Sequence, residues 1–381
     1  MKQYIYADNA ATTKLDTEAF EAMIPWLTES YGNASQPYFF GKKAARAIKE
    51  ARKTIAECIN AKPEQIYFTS GGTEGDNWAI KCFGAAPTDV KVIATSEIEH
   101  HAILNACKNQ NMAETHYLSV DKFGLVDSND IYKAFDFSNR PVCSCMVQMA
   151  SIMTANNEIG TIMPIKELAE VAHKNGAFFH TDAVQAVGHI PIDVKELGID
   201  MLSASAHKFN GPKGVGFFYD SGKHIYPHND GGAQEFGMRA GTENVAGIVG
   251  MAVALKNNCD KLESNMRYIA SLENYFMDLM NRSGLDFIRN GGENHIPGNI
   301  SLSFKDADGE AILHRMDLMG ICISTGSACD SVNAQVSHVI KAIGVPENYA
   351  KGTIRISLGK YNTTEECDII ANSLIKILRN N

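Results

Sequence analysis

Short apolar runs alternate with amphipathic helical stretches along most of the chain, and this order constrains the fold more than any other feature. Runs at 65–69, 91–96, 142–149, 177–181 and 201–205 have strand length and strand composition. Stretches at 17–30, 41–59, 165–175 and 242–282 carry the helical period, and the last is long enough to bridge two domains. Helices between successive strands supply the crossovers that parallel pairing requires, so the pattern predicts an α/β fold with a mainly parallel sheet.

Beyond residue 257 the pattern changes. Strands are predicted at 298–304 and 353–358, with helices near 309–319 and 364–378. A chain of 381 residues also exceeds one ordinary core. We expect a large domain over 15–256 and a smaller α+β domain from 1–14 together with 257–381. No internal repeat or low-complexity tract is present.

Several classes of function are disfavoured. The net charge of −9 argues against nucleic acid, which is held through clustered Lys and Arg. No apolar run approaches the roughly 20 residues of a membrane span, and the first residues lack a basic start and an apolar stretch, so a cytoplasmic protein without a membrane partner is expected. Nine scattered cysteines make a disulfide framework improbable. Cys143 and Cys145 form a C-x-C pair inside an apolar stretch with no second pair nearby, so buried structural thiols are expected and no metal site.

Six stretches carry candidate chemistry. In Ser203-Ala-Ser205-Ala-His207-Lys208 an apolar strand delivers a lysine into a small-residue loop, where an amine can form a Schiff base with a planar cofactor. A solvated loop lysine is the plainer alternative. Asp182 follows another apolar run, where a buried carboxylate needs a cation such as a protonated pyridine nitrogen, or else caps a helix. Thr69-Ser-Gly-Gly72-Thr73-Glu74 ends a strand and opens a helix, whose free N–H groups suit a phosphate unless the glycines simply make a turn.

Glu99-His100-His101 stands at a further strand-to-helix junction, where His100 could cover a planar ring and move protons, or merely begin a helix. Cys329 lies in the small, polar segment from Ser324 to Ser331, where a thiol can be exposed and reactive, or inert. Arg355 sits mid-strand between Ile354 and Ile356, suited to a bidentate grip on the carboxylate of a substrate or of an internal acid.

Together these stretches resemble the cysteine desulfurases, the pyridoxal phosphate-dependent sulfur donors in the class V aminotransferase group of fold-type I enzymes. The resemblance runs from Ala7-Asp-Asn-Ala-Ala-Thr-Thr13 through Gly32-Asn-Ala-Ser35, Ala155-Asn-Asn-Glu-Ile-Gly160, His180–Gln185, Ser205–Gly214 and Arg239–Asn244 to Ser324–Ser331 and Thr353–Gly359. It implies that Lys208 bonds pyridoxal 5'-phosphate and later moves the substrate α-proton. Gly72, Thr73, Ser205 and His207 would hold the phosphate, joined by Thr242 from the neighbouring subunit of a homodimer. Asp182 would meet the pyridine nitrogen, Gln185 and Asn157 the ring hydroxyl, and His100 the ring face. Arg355, with Asn157, would bind L-cysteine, and Cys329 would take its sulfur as a persulfide with release of L-alanine. That sulfur would pass to an acceptor protein in iron–sulfur cluster assembly or thiolation, the group implied by the long segment between Cys329 and Ser337-His338.

Tyr38 replaces a common His, and Gly72 and Gly75 replace the more usual Ala and Ser. The sequence ends at Asn381 without the extension by which some relatives dock a scaffold, so desulfuration is implied more strongly than scaffold delivery. Selenocysteine lyase and aminotransferase activities share the cofactor and stand as rivals. A non-catalytic scaffold or sulfur relay is the rival of another class.

Overall fold

The computed structural model describes residues 4–84, 90–110, 113–136, 146–222, 224–326 and 336–379. Its centre is a seven-stranded sheet in the spatial order Ile66–Thr69, Gly216–Asp220, Met201–Ser205, Phe178–Asp182, Met146–Ser151, Val90–Ser96, Ala113–Leu118. Every pairing is parallel except the two made by Gly216–Asp220, which runs antiparallel to both neighbours. All remaining strands therefore end at the same edge, where α/β sheets place their ligands.

Both faces of this sheet are covered, which is why its strands read as continuous apolar runs. Val92, Phe179, Leu202 and Phe217 turn to one core, which helices Phe39–Cys58, Ile165–Lys174 and Val245–Asp260 complete. Ile93, Met149, Met201 and Phe218 turn to the other, against Trp78 and Ile80 of helix Gly72–Cys82 and Ile103 of helix His101–Lys108. The switch between neighbours such as Leu202 and Met201 is the period-two alternation of a strand.

A separate core lies on a three-stranded antiparallel sheet ordered Thr353–Ser357, Asn299–Phe304, Phe287–Asn290. Helices Leu262–Arg282, Gly309–Leu318 and Thr364–Arg379 cover it, burying Phe276, Ile312 and Leu374. The N-terminal strand Ile5–Tyr6 pairs with Ile321–Cys322 and places Ile5 and Ala7 in this second core. Val339, Ile340 and Ile343, far along the sequence, pack instead in the first core.

The helix predicted over 242–282 is two helices. Asn244 caps the first, accepting from the Gly247 N–H, and Lys261 leaves helical geometry at φ −112°, ψ 14° before Leu262–Arg282 begins. The run Asn257-Asn258-Cys259-Asp260 is poor in helix formers, and the Asn258 amide donates to the Phe209 carbonyl at 2.6 Å. The strand predicted over 142–149 is described as Met146–Ser151, and Cys143 and Cys145 lie outside the described residues.

Candidate active site

Five strand ends converge on one cavity of about 330 Å3. Thr69 is followed by Gly72 and Thr73, Ser96 by His100, Ser151 by Met153 and Asn157, Asp182 closes its own strand, and Ser205 leads to His207 and Lys208; all line the cavity except the Thr69, Ser96 and Ser151 that end their strands. Gln185, Arg355 and Gly326 also line it. The sequence-predicted residues Gly72, Thr73, His100, Asn157, Asp182, Gln185, Ser205, His207, Lys208 and Arg355 thus share one space.

Lys208 projects from a short 3-10 turn, and its Nζ donates to the carbonyls of Ala10 and Ala11 at 2.6 and 2.9 Å. Gln185 Nε2 donates to the same Ala10 carbonyl at 2.9 Å, so the N-terminal segment is the ledge on which both side chains rest. The bend is held from below, where Thr13 Oγ1 and the Thr13 N–H both donate to the His207 carbonyl.

Asp182 is buried, and its carboxylate accepts from the Val184 N–H at 2.9 Å. Burial raises its pKa above the ordinary value, while the charges of His100 and Lys208 and the Val184 N–H oppose that shift. His100 begins helix His101–Lys108 as its cap, its Nδ1 accepting from the Ala102 N–H at 3.1 Å, and it also lines the cavity. That bond leaves the proton of a neutral ring on Nε2. Burial pushes the imidazole below its usual pKa, with Asp182 pulling the other way. His207 is also desolvated, to about 4, and is neutral near pH 7.

Arg355 is 3% exposed and donates from Nη2 to Asp8 Oδ1 at 2.7 Å and from Nη1 to the Asn157 carbonyl at 3.0 Å. Its Nε has no partner among the described residues. The internal acid that the sequence left open is therefore Asp8. The guanidinium keeps an unfilled donor beside the cavity.

A family model described as Aminotransferase class-V matches residues 5–370. The chain belongs to this family. Among curated relatives, the cysteine desulfurase IscS of Dictyoglomus turgidum is 46% identical over 383 residues, covering 99% of this chain and 95% of the relative. A solved NifS-like protein superposes with TM-score 0.90 at 34% identity over the full length of both chains. A structure described as SspA in complex with cysteine gives TM-score 0.80 at 33% identity over 94% of this chain and all of the other.

Class V aminotransferases of the desulfurase type use pyridoxal phosphate, and the cavity suits it. Its volume matches a small-cofactor pocket, an amine stands at one side, and the helix beginning at Gly72 opens at another. Asp182 is a desolvated carboxyl with one hydrogen-bond donor, a place a protonated ring nitrogen would satisfy.

Of the two remaining residues implied by the family resemblance, only Thr242 is described, and it does not line this cavity. Thr242 is exposed and stands just before helix Val245–Asp260. Cys329 lies outside the described residues, although Gly326, three positions earlier, is part of the wall. Sequence reasoning missed Asp8 as the partner of Arg355, Ala10 and Ala11 as acceptors for Lys208, and Asp76. The last lines the cavity from helix Gly72–Cys82, fully buried, with its pKa well raised by desolvation and by the charge of Asp182. Its only signal was position: four residues after Gly72 it faces the same way as the helix start.

Proposed function

We propose that the chain is a pyridoxal phosphate-dependent cysteine desulfurase that converts L-cysteine to L-alanine and receives the sulfur on Cys329. The observation that carries the proposal is the convergence of Lys208, Asp182, His100 and Arg355 on one cavity at the strand ends. When bound, the cofactor supplies an electron sink for bonds at the substrate α- and β-carbons.

The chain's own residues divide the remaining work. Lys208 anchors the cofactor and, once released, its amine carries the α-proton. Asp182 keeps a negative charge against the ring nitrogen. Gly72 and Thr73 at the helix start, with Ser205 and His207, hold the phosphate, and Gln185 and Asn157 bound the ring edge. His100 covers the ring and holds a proton at Nε2. Arg355 grips the substrate carboxylate. The Cys329 thiolate attacks the substrate sulfur; the C–S electron pair stays with carbon, which is protonated to alanine, and the persulfide remains on Cys329.

The functional unit we propose is a homodimer. Phe20 and Leu27 of helix Thr17–Thr28, Tyr31 after it and Phe39 at the start of helix Phe39–Cys58 are exposed apolar side chains of the kind that a second copy would cover. Thr242, exposed in its own chain, would join the partner's phosphate site. The division into a domain over 15–256 and a smaller one from 1–14 and 257–381 is supported by the core that holds Ile5 and Ala7 beside Ile300 and Ile356, while Val339, Ile340 and Ile343 cross it by packing in the first core. A reducing cytoplasm, and a sulfur-acceptor protein serving cluster assembly or thiolation, complete the reading.

The test is incubation of the holoprotein with cysteine, followed by amino-acid analysis and mass measurement of the Cys329 peptide. Alanine and one added sulfur on that peptide are expected. A keto acid product with unmodified Cys329 would replace this reading with aminotransfer.

A further inference from the structure

We propose that His338 is a positioning residue for sulfur transfer, fixing the chain that follows Cys329 to the junction from which His100 enters the cavity. The inference rests on the reading of Cys329 as the sulfur acceptor, and it concerns a residue that does not itself line the cavity. His338 Nε2 lies 3.1 Å from the Glu99 carbonyl; a carbonyl only accepts, so the ring carries a proton on Nε2 and donates it to this bond. The ring also meets that of His101, with centroids 5.0 Å apart and planes tilted by 40°. Glu99 and His101 are the two chain neighbours of His100, so one side chain holds the His100 junction from both sides.

Both partners in that contact are themselves fixed. Glu99 is fully buried, and its carboxyl accepts from Ser96 Oγ and the Met153 N–H, which holds in place the residue whose carbonyl His338 uses. His338 opens helix His338–Ala342, which Ser337 caps by accepting from the Val339 N–H. A helix of five residues has little stability of its own, so its place is set by Val339 and Ile340 in the first core and by the bond to Glu99.

The chain that precedes Cys329 is fixed in a different way. The Ser324 N–H donates to the Arg355 carbonyl at 3.0 Å, and the Arg355 N–H donates to the Ser324 carbonyl at 2.6 Å. The two flanks of 327–335 are thus moored to the backbones of Arg355 and of the residue before His100, both of which line the cavity with their side chains. Cys329 stands five positions after Ser324 and nine before His338. A thiol on a chain moored at two points around a cavity has a higher effective concentration there than one on a chain held at a single point. The first mooring is made by main-chain atoms, whereas the second depends on the His338 ring.

The test compares the holoprotein with its His338→Ala and His338→Gln variants in a single turnover with L-cysteine, quenched in acid at successive times. Alanine and the added sulfur mass on the Cys329 peptide are followed together. Loss of the mooring bond should slow both about three- to tenfold in His338→Ala, and His338→Gln, whose amide can donate to the same carbonyl, should recover most of the rate. The absorbance change of the bound cofactor on titration with L-alanine, which offers a carboxylate and an amine without sulfur, should be parental in all three proteins. Transfer at the parental rate in His338→Ala, an equal loss in both variants, or slower transfer with an equally weakened response to L-alanine would each overturn the inference. A parent protein that adds no sulfur to Cys329 would instead remove the desulfurase reading, and this inference with it.

Discussion

Arg355 and Asp8 meet at 2.7 Å across the junction of the small sheet and the N-terminal segment, so the substrate-facing guanidinium is held by the opposite end of the chain. The Asp8 bond uses Nη2 and the Asn157 carbonyl uses Nη1, which aims the fork while Nε has no partner among the described residues. A lysine carries its three donors on one nitrogen and cannot span Asp8, the Asn157 carbonyl and a substrate carboxylate with the planar fork that two separate nitrogens give. Arg355→Lys should therefore raise KM for cysteine about 10- to 100-fold, the range for a lost charged hydrogen bond, with a smaller change in kcat. Steady-state kinetics decide it; an unchanged KM would remove Arg355 from substrate binding.

Lys208 rests on the Ala10 and Ala11 carbonyls, which hold its amine at the cavity wall. Lys208→Ala should reduce alanine formation by about 10^2- to 10^4-fold, the usual contribution of a positioned acid–base group, and further if cofactor is lost. Borohydride treatment of the parent holoprotein should leave cofactor mass on the Lys208 peptide. Cofactor mass on a different lysine would contradict the assignment.

Much of this site was legible because most of its functional residues end or follow a strand, and apolar strands announce themselves. Asp182 and the Ser203–Lys208 run were found in that way. Chemistry that depends on chain ends meeting was not legible. Nothing local pairs Asp8 with Arg355, or Ala10 with Lys208, since those contacts exist only after the N-terminal strand adds to Ile321–Cys322. The same applies to Gly216–Asp220, whose apolar pattern does not disclose that it runs against its neighbours. The helix break at Lys261 escaped notice because the apolar period continues across it and only the weak formers before it mark the place.

Glu99 adjoins His100 but points into the protein, its Oε1 accepting from Ser96 Oγ at 2.6 Å and the Met153 N–H at 2.9 Å, with Oε2 unpartnered among the described residues. Burial pushes its carboxyl up to about 8. The folded chain thus binds a proton that the unfolded chain has released above its ordinary value near 4.5, so stability falls as pH rises from there through about 8. Glu99→Gln keeps the two acceptor contacts and removes the titration. The variant should unfold at nearly the parental denaturant midpoint at pH 5 and be more stable at pH 8, by on the order of 3 kcal/mol. Parallel midpoints at both pH values would show that Glu99 is ionised in the folded protein.

Gly72 and Val184 are a matched pair at the helix start that faces the cavity. A Cβ on Gly72 would collide with Val184 Cγ2, and the nearest Ser205 atom is at 3.8 Å, so the obstruction is one methyl group. Val184 cannot swing it away freely, because a β-branched side chain has few χ1 options and its own N–H is tied to Asp182. Gly72→Ala should then cost about 1 to 3 kcal/mol by overpacking, offset in part by the helix propensity of Ala, and should weaken cofactor binding by displacing the N–H groups. Val184→Ala removes the obstructing methyl, so the double variant should recover most of the stability and cofactor affinity lost by Gly72→Ala alone. Urea midpoints and cofactor titration of the four proteins measure this coupling; strictly additive losses would mean that Gly72 is required for its backbone and not for the space Val184 occupies.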